Sequence, residues 1–175
     1  MDDDLWVFGY GSLMWQPGFA HTHAVPALLR GSHRSLCVYS WVHRGTQERP
    51  GLVLGLDRGG ACRGLAFRVE PHLRDEVIAY LRDREQVTMV YREVLRDVVL
   101  DDGRRVKALS YVVERAHEQY AGALSHERQL EIVSRGHGQS GPNRDYVLNT
   151  ADHLIDLDIR DGGLQLLADA LRRNE

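Results

Sequence analysis

Apolar residues fall into two regimes along this chain. Through the first two thirds they come in short runs cut by turn residues. Residues 5–8 are apolar, and residues 24–29 and 35–41 are rich in aliphatic and aromatic side chains, so each stretch predicts a strand. Residues 52–56 and 62–69 flank Asp57-Arg-Gly-Gly60, which predicts a hairpin. Residues 91–100 and 106–113 flank Asp101-Asp-Gly103 and predict another. One helix interrupts the strands: Pro71 suits a first helical turn, and Leu73, Val77, Tyr80 and Leu81 recur at helical spacing among Arg74, Asp75, Glu76, Arg82 and Asp83. The last third is helical. Ser125 caps a helix running to about Arg135, with Gly136 past its end. Pro142 starts a second, with Tyr146, Val147, Ala151, Leu154 and Ile155 on one side, and Asp161 caps a third containing Leu164, Leu167 and Leu171. Strands that do not alternate regularly with helices give an α+β class, not a doubly wound parallel sheet.

Size and charge narrow the picture. At 175 residues the chain reads as one domain, residues 1–175, long enough to bury most of the surface its unfolded form exposes. Acidic and basic residues are mixed, the net charge is −3, and Arg172-Arg173 is too short for a basic stripe, so a nucleic-acid partner is not expected. No apolar run approaches the roughly 18–20 residues that span a bilayer, so no membrane segment is expected. The start Met1-Asp2-Asp3-Asp4 is the opposite of a basic signal peptide, and the expected location is the cytoplasm. Cys37 and Cys62 lie in apolar, strand-like stretches and read as small buried side chains rather than a disulfide.

Candidate chemistry concentrates at two places. In Trp6-Val-Phe-Gly-Tyr-Gly-Ser-Leu-Met-Trp15 a strand breaks into a Gly-x-Gly turn carrying a hydroxyl. Glycines on either side of Tyr10 permit positive φ and close approach of a ligand to main-chain N–H groups, which can hold an anion. The same residues also suit a strand end that only turns a corner. Glu85 is placed at or just past the end of the embedded helix, before the apolar run 87–91. The negative end of the helix dipole and apolar surroundings both raise a carboxyl pKa, which suits a group that takes and returns a proton near neutrality. The competing reading is a surface glutamate paired with Arg82 or Arg84. His21 and His23 alternate on an extended segment, but zinc needs a third ligand and the other histidines are scattered, so no metal site is expected. Neither Ser12 nor Cys37 sits in a nucleophile elbow. Residues 114–125 carry no usable pattern, and the glycine-rich stretch 136–142 reads as a mobile lid.

Val7-Phe8-Gly9-Tyr10-Gly11-Ser12-Leu13, followed by Trp15, resembles the signature of the ChaC family of γ-glutamylcyclotransferases. Further segments follow in that family's order: Arg30-Gly31 and Arg34, His43-Arg44-Gly45, Pro50-Gly51, Gly64-Leu-Ala-Phe-Arg68, Arg84-Glu85 with Tyr91, Asp101-Asp-Gly-Arg104, Ser140-Gly-Pro142 and Asn143-Arg-Asp-Tyr-Val147. The resemblance runs from about residue 5 to about residue 160. It implies a small mixed β-barrel with surrounding helices. It also implies a lyase that cleaves glutathione to 5-oxoproline and Cys-Gly, the substrate's own α-amine attacking its γ-glutamyl carbonyl. Such an enzyme needs no metal, no cofactor and no protein nucleophile.

The same resemblance makes Glu85 the general base and then the general acid. It gives the α-carboxylate to the backbone of Gly9, Tyr10, Gly11, Ser12 and Leu13, with help from the Ser12 hydroxyl, and has Val7 and Phe8 position that turn and line the pocket. Tyr146 matches a family tyrosine that either contacts substrate through its hydroxyl or packs its helix. Arg30, Arg34 and Arg44 either receive a second substrate carboxylate or make structural ion pairs. Two alternatives stay open: a cyclotransferase for γ-glutamyl amino acids or γ-glutamylamines, and a non-catalytic module that binds γ-glutamyl metabolites. Leu13 after Ser12 is similar to ChaC rather than to relatives with a shorter Tyr-Gly-Ser-Asn turn. The sequence specifies no oligomeric state.

Overall fold

The computed structural model describes residues 4–86 and 89–174. The acidic start at residues 1–3, Val87 and Thr88 at the head of the apolar run after Glu85, and Glu175 lie outside the described residues. In order the chain forms β1 (Leu5–Gly9), a one-turn 3₁₀ helix (Ser12–Met14), β2 (His23–Ser40), β3 (Gly51–Val69), a second 3₁₀ turn (Pro71–Leu73), α1 (Arg74–Glu85), β4 (Tyr91–Leu100), β5 (Arg105–Val113), α2 (His126–Arg135), the short strands β6 (His137–Gly138) and β7 (Gly141–Pro142), α3 (Asn143–Asp156) and α4 (Gly162–Arg173).

Five strands close into a barrel in the order β1-β3-β2-β4-β5. β1 runs antiparallel to β3, from Leu5↔Val69 to Gly9↔Leu65, and parallel to β5 through Trp6↔Ala108 and Val7↔Leu109. β4 and β5 form the expected hairpin around Asp101-Asp-Gly103, and β2 meets β4 at Ala27↔Leu100 through Leu29↔Val98, again antiparallel. These senses leave β2 and β3 antiparallel, so β1 with β5 is the parallel seam that makes the barrel mixed.

Two expectations about strands are corrected. Residues 52–56 and 62–69 are not the arms of a hairpin; β3 runs unbroken through Gly51–Val69. Gly59 and Gly60 take φ of 104° and 71° inside that strand, and residues 58–61 are exposed. A pair of positive-φ glycines suits a bulge as well as a turn, and here β3, with β2 as its neighbour, continues through them as strand. Likewise residues 24–29 and 35–41 belong to one strand, β2, which absorbs Gly31 at φ 97°.

Compactness divides the chain into two units. One comprises Met1–Ser35 with Gly55–Glu114, the other Leu36–Leu54 with Arg115–Glu175. In the first, Leu5, Val7, Leu13, Phe67, Val69, Leu109 and Tyr111 form a core on which Val77 and Leu81 of α1 pack. Burying each of those two helix side chains is worth about 1.5–3 kcal/mol, which anchors the helix that ends at Glu85. Tyr80, expected on the same face, is 36% exposed.

In the second unit α2, α3 and α4 pack on one another through Ile132, Val133, Val147, Ala151, Leu154, Leu164, Leu167 and Leu171. Their caps are those expected: Ser125 Oγ accepts from Arg128 N at 3.1 Å, and Asp161 Oδ1 accepts from Leu164 N at 3.1 Å. Ile155, expected on the buried face of α3, is 57% exposed. The stretch read as a mobile lid is instead tied down. His137↔Pro142 and Gly138↔Gly141 pair as a ladder, Gln139 N donates to Val42 O at 2.8 Å, and Ser140 N donates to His43 O at 2.9 Å. Residues 119–121, which carried no pattern, extend the pairing of β2: Tyr39 N donates to Gln119 O and Ala121 N donates to Cys37 O.

Candidate active site

The opening turn is built by close packing rather than by left-handed backbone. Neither Gly9 nor Gly11 takes positive φ; Gly11 sits at φ −133° and ψ −130°, outside the main α and β regions. The expected positive-φ nest is therefore not what forms here. A side chain at Gly9 would press on Leu13 Cβ at 3.1 Å and on the Phe67 ring at 3.3 Å. Gly64 of β3 lies against the Gly9 carbonyl and the Phe8 ring, where a Cβ would sit 2.8 Å from Phe8 Cζ. Glycine is thus needed where β1 and β3 approach each other, just before the turn.

The chain then makes one 3₁₀ turn. Met14 N donates to Gly11 O at 2.9 Å, Trp15 N to Ser12 O at 3.2 Å and Gln16 N to Ser12 O at 2.7 Å. Val7, Phe8, Gly9, Tyr10, Gly11 and Leu13 are all buried, whereas Ser12 is exposed. The Tyr10 carbonyl is pinned by Arg34, whose Nε donates to it at 2.7 Å while its Nη2 donates to Arg63 O at 2.6 Å. Arg34, read as a possible carboxylate receiver, is thereby committed to two main-chain carbonyls.

Glu85 is the last residue of α1, as the sequence predicted. Its side chain is 18% exposed, and burial pushes its carboxyl above the ordinary carboxylate range, against the opposing pull of the Arg84 guanidinium. Arg84 Nε stands 3.6 Å from Glu85 Oε1. The same guanidinium reaches the opening turn: Nη2 donates to Ser12 Oγ at 2.9 Å, and Nη1 to Gln16 O at 2.6 Å, to Pro17 O at 3.2 Å and to Tyr80 Oη at 3.2 Å. One side chain therefore touches both the candidate base and the candidate cradle.

Tyr111 of β5 feels the Glu85 charge from another direction. Its phenol is held well above the usual range by burial, by its hydrogen bond to Glu93 and by the charges of Glu93 and Glu85. Tyr111 Oη donates to Glu93 Oε2 at 2.8 Å, and Arg82 grips Glu93 through Nε and Nη2, both at 3.0 Å. That pairing, above all the Arg82 hydrogen bond, holds the Glu93 carboxyl below its ordinary range.

The structure brings Val7, Phe8, Gly9, Tyr10, Gly11, Ser12, Leu13 and Glu85 into the first unit. Tyr146 belongs to the second, where its hydroxyl accepts from Leu54 N at 3.0 Å and Arg44 lies 5.7 Å over its ring. One turn earlier on α3, buried Asn143 accepts from Leu52 N through Oδ1 and donates to Leu52 O through Nδ2, both at 2.8 Å. Asn143 and Tyr146, three apart on the helix, thus dock on residues two apart on β3. Arg44 also donates to the Pro142 carbonyl at 3.1 Å, and Arg30 is exposed on β2. Sequence reasoning missed the bridging by Arg84, the Tyr111–Glu93–Arg82 chain and the docking of Asn143. A basic residue in the last helical turn signals a carbonyl contact, but the partners of Arg84 in the opening turn are 67 to 72 residues away in sequence. Among the described residues no group of three or more His, Cys, Asp and Glu side chains is arranged to hold a metal ion, and no helix is long and apolar enough to cross a membrane.

A five-stranded mixed barrel with helices, a glycine turn leaving β1 and a carboxylate at the end of α1 define a recognisable class. The crystal structure of a yeast γ-glutamyl cyclotransferase specific to glutathione superposes with a TM-score of 0.86 at 23% identity, covering 97% of this chain and 96% of that one, and shows the shared fold. The ChaC-like protein family model matches residues 5–174, and the chain belongs to that family. Among its relatives are the glutathione-specific γ-glutamylcyclotransferase of Escherichia coli strain K12 and the glutathione-specific γ-glutamylcyclotransferase 1 of Mus musculus. The first is 31% identical across 97% of this chain and 73% of the relative. The second is 33% identical across 95% of this chain and 78% of the relative.

Proposed function

We propose that this protein is a glutathione-specific γ-glutamylcyclotransferase, converting glutathione to 5-oxoproline and Cys-Gly with Glu85 as the proton carrier. The observation that carries the reading is a mostly buried carboxyl of raised pKa, held by one guanidinium to the hydroxyl of the glycine turn. Family membership supplies the substrate class.

The reaction asks for few protein groups. The α-amine of the γ-glutamyl unit attacks the γ-carbonyl within the same molecule, and well-oriented intramolecular attack is worth effective molarities of about 10⁵ M or more. Glu85 takes the proton that the α-ammonium must lose. The new C–N bond closes a five-membered ring, and the attacking nitrogen gives up a second proton on becoming the lactam N–H. The old C–N bond breaks as the departing nitrogen of Cys-Gly receives the proton from Glu85, and the second proton leaves with the released amine as its ammonium. A carboxyl raised by burial is a stronger base than one of ordinary pKa, so it takes the ammonium's proton more readily and stays protonated long enough near neutrality to hand it on.

The N–H groups of Ser12 and Leu13 open the 3₁₀ turn, where helix geometry gives an N–H no acceptor within the helix. In this reading they hold the α-carboxylate, Ser12 Oγ adds a hydrogen bond, and Val7, Phe8, Gly9, Tyr10 and Gly11 set the position of the turn. Tyr146 serves by fixing α3 on β3 through Leu54. In this reading the protein works in the cytoplasm, which Cys37 and Cys62, buried and not joined in a disulfide, support.

Glu85→Gln tests the assignment. Turnover should fall below detection in a protein whose circular dichroism and thermal unfolding remain those of a folded chain. Near-normal turnover in that folded variant would remove Glu85 from the mechanism.

A further inference from the structure

We propose that Arg84 is the positioning residue of this site, its guanidinium clamping the Ser12 hydroxyl and the Gln16 and Pro17 carbonyls to the helix end that carries Glu85. The inference rests on the reading of Glu85 as proton carrier and of the Ser12 turn as anion cradle, and it adds what makes the two act as one. Arg84 is 22% exposed, and the structure gives its guanidinium four hydrogen bonds and the approach to Glu85. Nη1 and Nη2 both donate to fixed groups, and Nε faces the Glu85 carboxyl. A lysine offers one ammonium in place of this fork and cannot serve Nη1, Nη2 and Nε partners together.

The clamp sets two properties independently. Geometry comes from the bonds to Ser12 Oγ, Gln16 O and Pro17 O, which hold the loop after the cradle against α1. Electrostatics comes from the cation 3.6 Å from Glu85 Oε1, which restrains the rise that burial imposes on that carboxyl. The other groups facing Glu85 do not supply this restraint. Tyr111, from β5, is a neutral phenol, and the Glu93 and Arg82 beyond it neutralise each other as a bonded pair.

The test uses the whole protein with glutamate side chains labelled at the carboxyl carbon. The Glu85 titration is assigned by its loss in Glu85→Gln and followed by NMR. In Arg84→Gln the midpoint should rise by about one pH unit, the lower end of what an adjacent opposite charge supplies. The acid limb of kcat/KM for glutathione should move with it, and KM should rise roughly tenfold as the cradle loosens. Arg84→Lys keeps the charge and loses the fork, so its midpoint should stay near that of the unaltered protein while KM stays raised. Hydrogen exchange at the amides of residues 13–16 and 18 should quicken in both variants.

A merely structural arginine would lower the unfolding temperature without moving the midpoint. An unchanged Glu85 midpoint in folded Arg84→Gln, or an unchanged KM in Arg84→Lys, overturns the proposal. Titration and exchange need no substrate. An unaltered protein that fails to turn over glutathione would therefore sink the proposed function, while these two readouts still decide the role of Arg84.

Discussion

Gly64→Ala probes the link between barrel packing and the cradle. A Cβ on residue 64 would lie 2.8 Å from Phe8 Cζ and 3.0 Å from Phe8 Cε2, and closer still to the Gly9 carbonyl oxygen. Carbon contacts settle at about 3.5–4.0 Å, so the ring must retreat by roughly 0.7–1.2 Å, the difference from the first of those distances. Phe8 is 1% exposed, so the ring cannot swing out into solvent and must be accommodated by its buried neighbours. Overpacking of this kind costs about 1–3 kcal/mol. For a chain of this size that lowers the unfolding temperature by about 2–12 °C.

Phe8 and Gly9 lead directly into Tyr10–Leu13, so the same displacement carries the turn with it. A misplacement near 1 Å lowers kcat/KM by about 10²-fold. Thermal unfolding and steady-state kinetics on glutathione measure both effects. Gly162→Ala is the control, because a Cβ there meets nothing within 4 Å and the residue begins α4; its unfolding temperature should hold or rise slightly. Gly64→Ala with an unchanged unfolding temperature would refute the packing argument. A lowered unfolding temperature with unchanged kcat/KM would refute the step from packing to cradle.

Three other predictions follow from the same geometry. Because burial raises the Glu85 carboxyl above its unfolded value, ionised Glu85 destabilises the fold; the penalty is full above the raised pKa and disappears as pH falls below the ordinary carboxylate range. Glu85→Gln should therefore unfold at a higher temperature than the unaltered protein above pH 7, the gap closing towards pH 4, and a gap that widens on acidification would contradict this. Asn143→Ala orphans the N–H and C=O of fully buried Leu52, at about 1–3 kcal/mol each; urea unfolding should show the loss, and Asn143→Asp, which cannot donate to Leu52 O, should recover only part of it. Ser12→Ala should raise KM less than Gly11→Val does, since main-chain N–H groups hold the carboxylate in this account, and the reverse order would assign the binding to the hydroxyl.

What could be read from the sequence was what local chemistry decides. Ser125 and Asp161 cap their helices because a short oxygen-bearing side chain before an apolar period has one good use there. Asp101-Asp-Gly103 made a hairpin because its flanking runs are each other's neighbours. The misreadings share a different cause. Gly59 and Gly60 supply positive φ to a turn or a bulge equally, and the choice lies with β2, a strand some 25 residues away in the chain. Gly9 needs its missing Cβ because Leu13 and Phe67 crowd it, and a Gly-x-Gly spacing does not distinguish crowding from left-handed backbone.

The site divides along the same line. The position of Glu85 at the end of α1 was legible from the apolar spacing of that helix, and its role as proton carrier is proposed from that position and the ChaC resemblance. Arg84 was legible only as a neighbour of Glu85. Its contact with Ser12 joins residues 72 apart and exists only once the barrel sets α1 beside the opening turn. The parallel pairing of β1 with β5 is equally non-local: nothing at Trp6 or Val7 specifies Ala108 or Leu109 as the opposite residue.

The central claim is that the substrate's own amine, not water, breaks the γ-glutamyl bond. Chelator-treated protein incubated with glutathione in ¹⁸O-labelled water, with products followed by mass spectrometry, tests it most directly. The account predicts equal amounts of Cys-Gly and unlabelled 5-oxoproline. Glutamate carrying one ¹⁸O would mean hydrolysis and would contradict it.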